Sequence, residues 1–181
     1  VAGSVGPLGV VLAPIGRVAV ADAHDAFAEQ IGALVAAGVD LLLIETMPSV
    51  AEVTAAVAAA RSISTDLPVV VMVTFADDGR TLLGMGPADV ATELTALDID
   101  GIGVNCSTGP NQVLRLVSAM RAVAPDIIIA AVPNAGFPER GSNGRVAYPA
   151  TAEYFADYVG AFLAAGVSII GGCCGTSEAH I

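Results

Sequence analysis

The 181-residue sequence predicts an α/β fold with parallel strands, a (β/α)8 TIM barrel that is incomplete, with about six of its eight strands present. Three observations carry this expectation. Short, wholly apolar runs alternate with segments bearing a helical stripe, at a spacing of roughly 30 residues, the length of one βαβ unit. The runs lack the polar–apolar alternation of a half-exposed sheet, so each strand expects cover on both faces. Nearly every run ends in a polar residue or a cysteine, which gathers chemistry at the C-terminal strand ends, where a barrel builds its mouth. A doubly wound open sheet stays open as an alternative, although no G-x-G-x-x-G follows a strand.

Each element has its own signal. The chain opens inside a strand, residues 1–4, followed by Gly6 and Pro7. After a loop through Pro14 and Gly16, residues 21–37 put Phe27, Ile31, Leu34 and Val35 on one helical face, and Gly38 supplies the stop. Residues 39–46, VDLLLIET, form a strand ending at Glu45. Ser49 and Glu52 form a capping box that opens an Ala-rich helix to about Ser62. The strand 67–75 leads to a turn at Asp78-Gly79, and Pro87 occupies the first turn of the next helix. A strand over 100–106 ends at Cys106, and Pro110 opens a helix with Val113, Leu116, Val117 and Met120 as its core stripe. The strand 127–132 ends at Pro133-Asn-Ala-Gly136, and a polar loop over 139–148 leads to a helix over 151–165. A final buried strand delivers Cys173 and Cys174. Residues 158–177 carry no charge and are long enough to span a membrane. Gly166, Gly171, Gly172 and Gly175 divide them into helix, turn and strand instead.

Composition narrows the function. Hydrophobic residues make up 55% and aromatics 4%, which describes one domain cored by small aliphatic side chains. A net charge of -11 argues against nucleic acid or an anionic membrane as partner. The seven basic residues are all arginine, which excludes Schiff-base lysines and the lysine of a P-loop. Three cysteines do not make a disulfide framework, and the first residues lack a basic segment before an apolar core, so a cytoplasmic location is expected.

All three cysteines fall at strand ends. If their strands are parallel neighbours, Cys106, Cys173 and Cys174 converge as a zinc site short of its fourth ligand. The alternatives are small buried thiols without a joint role, a thiol redox protein using Cys173 and Cys174 with Cys106, and a non-catalytic zinc-binding barrel fragment. His24 and His180 lie away from the strand ends and read as surface or capping residues, and Asp77 and Asp78 belong to a turn.

Several segments together resemble the homocysteine S-methyltransferase family: 1–7 (VAGSVGP), 43–46 (LIET), 103–110 (GVNCSTGP), 133–136 (PNAG) and 171–176 (GGCCGT). That family includes the homocysteine domain of cobalamin-dependent methionine synthase and betaine-homocysteine methyltransferase. Residues 6–9, 13–17 and 75–80 look most like bacterial proteins that fuse this domain to a methylenetetrahydrofolate reductase. The resemblance implies a methyltransferase that makes methionine, with Zn2+ on Cys106, Cys173 and Cys174 and homocysteine sulfur as the exchangeable ligand. It implies Glu45 as acceptor for the substrate ammonium and places Asn105 beside the substrate. Asn134 matches a residue that can take the metal's fourth position, with a turn asparagine bonding its own backbone as the alternative. Thr46 stands where betaine-dependent relatives carry tyrosine, which favours the methionine synthase-like branch. The methyl donor is expected from other domains or docking partners, as methyl-cobalamin or methyltetrahydrofolate, with S-methylmethionine and betaine as further candidates. Residues 1–181 are then expected to be a partial barrel domain, without the family's N-terminal strands, their Asp-Gly pair and the last helix. Such a fragment is expected to be poorly stable and inactive alone.

Overall fold

The computed structural model describes residues 1–140 and 144–181; residues 141–143, within the expected polar loop, lie outside the described residues. The strands β1 (Ala2–Val5), β2 (Leu41–Met47), β3 (Val69–Val73), β4 (Gly101–Asn105), β5 (Ile128–Val132) and β8 (Ile169–Ile170) form one sheet. Its spatial order is β1-β2-β3-β4-β5-β8, parallel at every step, so each main strand lies beside its sequence neighbour. This order settles the topology. A doubly wound sheet reverses direction at a switch point, whereas a barrel adds strands in one direction.

Five helices make the crossovers: α1 (Val20–Ala36), α2 (Val50–Ile63), α3 (Pro87–Leu94), α4 (Pro110–Val123) and α5 (Ala152–Ala164). Consecutive helices pack on one another along one face of the sheet. In β3, Val69, Val71 and Val73 point into the large core shared with those helices, which also holds Phe27, Ile31, Val113 and Met120. Val70 and Met72 alternate to the opposite face, where they meet Ala130, Leu43 and Val132. The uninterrupted valines of this strand are therefore the imprint of two buried faces.

The edges depart from that expectation. β1 alternates exposed and buried residues, and β8 is two residues long with Ile169 exposed, because each has a strand partner on one side only among the described residues. The capping box at α2 is half formed. Ser49 Oγ accepts from the Glu52 N–H at 3.3 Å, but the Glu52 carboxylate accepts from the Leu8 N–H at 2.6 Å and pins the loop after β1. The expected loop 139–148 contains a small antiparallel hairpin, β6 (Glu139–Arg140) paired with β7 (Val146–Ala147). Two-residue strands are too short to leave a periodicity in the sequence. Residues 158–177 divide into helix, turn and strand as the glycines predict, and no described helix is long and apolar enough to cross a membrane.

Candidate metal centre

Parallel strands point all their C-terminal ends the same way, so the loops after β4, β5 and β8 meet at one end of the sheet. Backbone hydrogen bonds lace them together. Cys106 N–H donates to Val132 O at 3.2 Å, Cys173 N–H to Pro133 O at 2.8 Å, Ala135 N–H to Cys174 O at 2.9 Å and Asn134 N–H to Thr108 O at 2.9 Å. The segment Pro133–Gly136 thus acts as a wedge between the two cysteine loops. Gly109 permits the approach, since a Cβ there would stand 3.0 Å from Gly136 Cα. Thr46, Cys106 and Ser107 all adopt left-handed backbone, at φ 61°, 63° and 61°. Each costs about 1 kcal/mol or more, and such strain concentrates where a side chain must be aimed.

The Sγ atoms of Cys106, Cys173 and Cys174 all lie within 4.8 Å of one another, and the three thiols are free. Cys106 and Cys174 are 3.7 Å apart. Sulfur ligands at about 2.3 Å from a tetrahedral ion lie about 3.8 Å from each other, so the donor set fits a soft divalent metal such as zinc. Without metal the cluster shares its protons unevenly. The Cys106 thiol is held down to about 5, first by a hydrogen bond from Cys173, with the Ser107 N–H, Cys174 and Asn134 also favouring its thiolate and burial opposing. The same contact, together with burial, pushes the Cys173 thiol up.

Asn105 is the hub of the polar network. Fully buried, it accepts from the Thr46 N–H at 2.8 Å and donates to Thr46 Oγ1 at 2.7 Å and to Glu45 Oε2 at 3.2 Å. Its Nδ2 also lies 3.9 Å from Cys173 Sγ, which joins the carboxylate to the thiols. The other oxygen of Glu45, Oε1, accepts from Ser4 Oγ at 2.6 Å. Asn134, also buried, uses its carbonyl oxygen on the Cys174 N–H at 3.0 Å rather than on its own turn. The structure thus brings Glu45, Asn105, Asn134 and the three cysteines to one strand end.

Other sequence candidates lie elsewhere. His24 pairs with Asp25 on the exposed side of α1. His180 accepts from the Ser177 N–H through Nδ1, at 3.1 Å, and caps the short turn Glu178–His180. Asp78 Oδ1 accepts from the Arg80 N–H at 3.0 Å and closes the Gly79 turn. Sequence reasoning missed three participants. Ser4 stands at the end of β1 and meets the strand-end criterion that selected Glu45. Ser107 Oγ lies 2.5 Å from Thr74 Oγ1, again at strand ends. Tyr148, after the hairpin, packs its ring against Gly175, the residue that follows Cys174, and no local pattern announces it.

Comparison with known proteins agrees with this arrangement. The family model described as homocysteine S-methyltransferase matches residues 1–181. A methionine synthase of Mycobacterium tuberculosis is 35% identical over 186 residues, covering 100% of this chain and 15% of that protein. This chain therefore spans about a seventh of the length of that relative. Among solved structures, the homocysteine methyltransferase MmuM of Escherichia coli superposes in its apo form with a TM-score of 0.77 at 24% identity, over 99% of this chain and 59% of that one. Its metallated form gives 0.75 at 25% identity, over 99% and 58%. The sheet is the matching part of an incomplete TIM barrel.

Proposed function

The chain belongs to the homocysteine S-methyltransferase family, and from that membership we propose that its strand-end cluster binds zinc and activates the thiol of homocysteine as a methyl acceptor. The observation that carries this reading is the convergence of three sulfurs from two strand ends within 4.8 Å of one another, with Cys106 and Cys174 3.7 Å apart, close to the spacing a tetrahedral ion needs. Zinc on three thiolates supplies a Lewis acid that keeps a fourth sulfur ionised near neutral pH yet electron-rich. The substrate thiolate attacks the methyl carbon of an activated donor, a carbon–sulfur bond forms, and the donor group leaves with the electron pair of the broken bond. The product is methionine.

The chain's own residues orient the acceptor. Glu45, held on one oxygen by Ser4 and on the other by Asn105, offers a fixed carboxylate to the substrate ammonium. Asn105 couples that carboxylate to the cysteine loops, so amino-acid recognition and sulfur activation share one support. Asn134 holds the Cys174 backbone and so aims its thiol. The methyl donor, methyl-cobalamin or methyltetrahydrofolate, comes from a fused domain or a docking partner, and three reduced thiols suit a cytoplasmic protein. The test is zinc content together with methyl transfer to homocysteine in the intact polypeptide. One zinc per chain and chelator-sensitive turnover are expected; full zinc retention and activity in Cys106→Ser would overturn the assignment.

A further inference from the structure

Thr74 and Ser107 lie just past the ends of β3 and β4, and together they hold the backbone on which Cys106 stands. The Thr108 N–H donates to Cys106 O at 2.7 Å, two residues back, and Ser107 between them has φ 61°. This is a γ-turn of the rare positive-φ kind, and Cys106 at φ 63° enters it already left-handed. Two such residues in succession, neither of them glycine, persist where their surroundings hold them. The Pro133–Gly136 wedge holds one side. Cys106 N–H donates to Val132 O at 3.2 Å, and Thr108 O accepts from the Asn134 N–H at 2.9 Å. Towards β3 the turn is held by a side chain, since Ser107 Oγ and Thr74 Oγ1 lie 2.5 Å apart, one hydroxyl donating to the other. Thr74 is anchored in its turn. Its N–H donates to Met47 O at 3.0 Å, at the end of the irregularity in β2 that carries Glu45 and Thr46.

We propose that Thr74 and Ser107 are positioning residues of the metal centre: their hydroxyl pair latches the strained turn after Cys106 and so fixes where the Cys106 sulfur meets the ion. This rests on the zinc reading given above. Without the latch the turn relaxes towards ordinary backbone, and that relaxation swings the Cα–Cβ bond of Cys106. Glycine at position 107 would take φ 61° freely but could not be tied to β3; serine bears the strain and supplies the tie. Because the Thr74 amide is fastened to β2, the cysteine turn and the Glu45 carboxylate share one anchor.

The test loads the intact polypeptide with cobalt(II) as a spectroscopic stand-in, and separately titrates zinc against a chelator at neutral pH. Thr74→Val keeps the branched shape and removes the hydroxyl, Ser107→Ala removes its partner, and Thr74→Ser restores the pair. Val and Ala are each expected to hold zinc about 10-fold less tightly, with shifted cobalt ligand-field bands, while Thr74→Ser matches the parent. The double variant should be no worse than either single one, because both remove the same bond. Parent-like zinc affinity in Thr74→Val and Ser107→Ala overturns the proposal, as do losses that add in the double variant or a Thr74→Ser as weak as Thr74→Val. Weaker binding with the parent's bands also overturns it, since the sulfur has then not moved. Metal-free urea midpoints establish that each variant folds; should Thr74→Val not fold, Ser107→Ala, which lies outside the sheet, carries the comparison. A parent chain that binds neither metal overturns the zinc reading itself, and this inference with it.

Discussion

At the mouth end of the sheet, Thr46, Cys106 and Ser107 hold left-handed backbone and three thiols crowd together. At the opposite end, two arginines tie ordinary loops to one another. Arg61 donates to Asp98 O and Leu67 O, both at 2.8 Å, and pairs with Asp100, whose carboxylate also accepts from the Val69 N–H at 2.8 Å. Arg121 donates to the carbonyls of Ala124, Pro125, Ile127 and Gly166 at 2.7–3.1 Å, joining the approach to β5 with the turn before β8. The comparison teaches a division of labour along the strands. One end ties exposed and part-buried loop carbonyls to charged donors, and the other carries strain and like groups at close range. Substitutions at the two ends should therefore fail in different assays.

The largest separation is expected from Cys106→Ser. Methyl transfer should fall to background and bound zinc should be lost, while the metal-free form unfolds within about 0.5 kcal/mol of the parent in urea. An equal loss of metal-free stability would break the comparison. Arg121→Met should do the reverse. Several carbonyls lose a charged donor, so the unfolding free energy should drop by about 3 kcal/mol with zinc stoichiometry and kcat per folded molecule unchanged. Urea midpoints and elemental analysis on the same samples would settle it. Glu45→Gln sharpens the mouth further, with an expected rise of about 10-fold in the KM for homocysteine, worth about 1.4 kcal/mol, and zinc still in place. An unchanged KM would remove Glu45 from the substrate site.

The smallest effect concerns Glu52, which is 1% exposed in the first turn of α2 and bonded to the Leu8 N–H. Burial raises its pKa, and the Leu8 hydrogen bond opposes the rise only in part. A carboxyl whose folded pKa lies above its unfolded value contributes stability that is complete below the unfolded value and is lost as pH rises through the folded one. The mouth should thus gain a little stability as pH falls towards the ordinary carboxylate range. Glu52→Gln, which keeps an acceptor for Leu8, should flatten that profile, as urea midpoints between about pH 4 and pH 7 would reveal.

How much of this was legible in the sequence depended on whether a feature is local. The valines of β3, the prolines opening α3 and α4, and Gly38 and Gly166 closing α1 and α5 are local signals, and the elements fell where they point. Cys106, Cys173 and Cys174 were found because each ends an apolar run, and a sequential strand order does the rest. The Glu52 carboxylate was assigned to its own helix, but a backbone donor 44 positions away competes for it. Asn105 was placed beside the substrate, yet its bridging of Glu45, Thr46 and Cys173 follows from register between strands, which no window of sequence contains. Tyr148 escaped for the same reason, since its partner Gly175 lies across the sheet end.

The spacing of the thiols along the chain has a consequence of its own. Cys106 and Cys174 stand 68 positions apart, with α4, β5, the hairpin, α5 and β8 between them. An ion held by both closes a ring in the polypeptide, as a disulfide would, and closing a ring of that size removes about 4 kcal/mol of freedom from the unfolded chain. Loading and fastening are then one event. A backbone cut anywhere inside the ring leaves two pieces that stay coupled through sulfur while the ion remains, and that part when it is withdrawn.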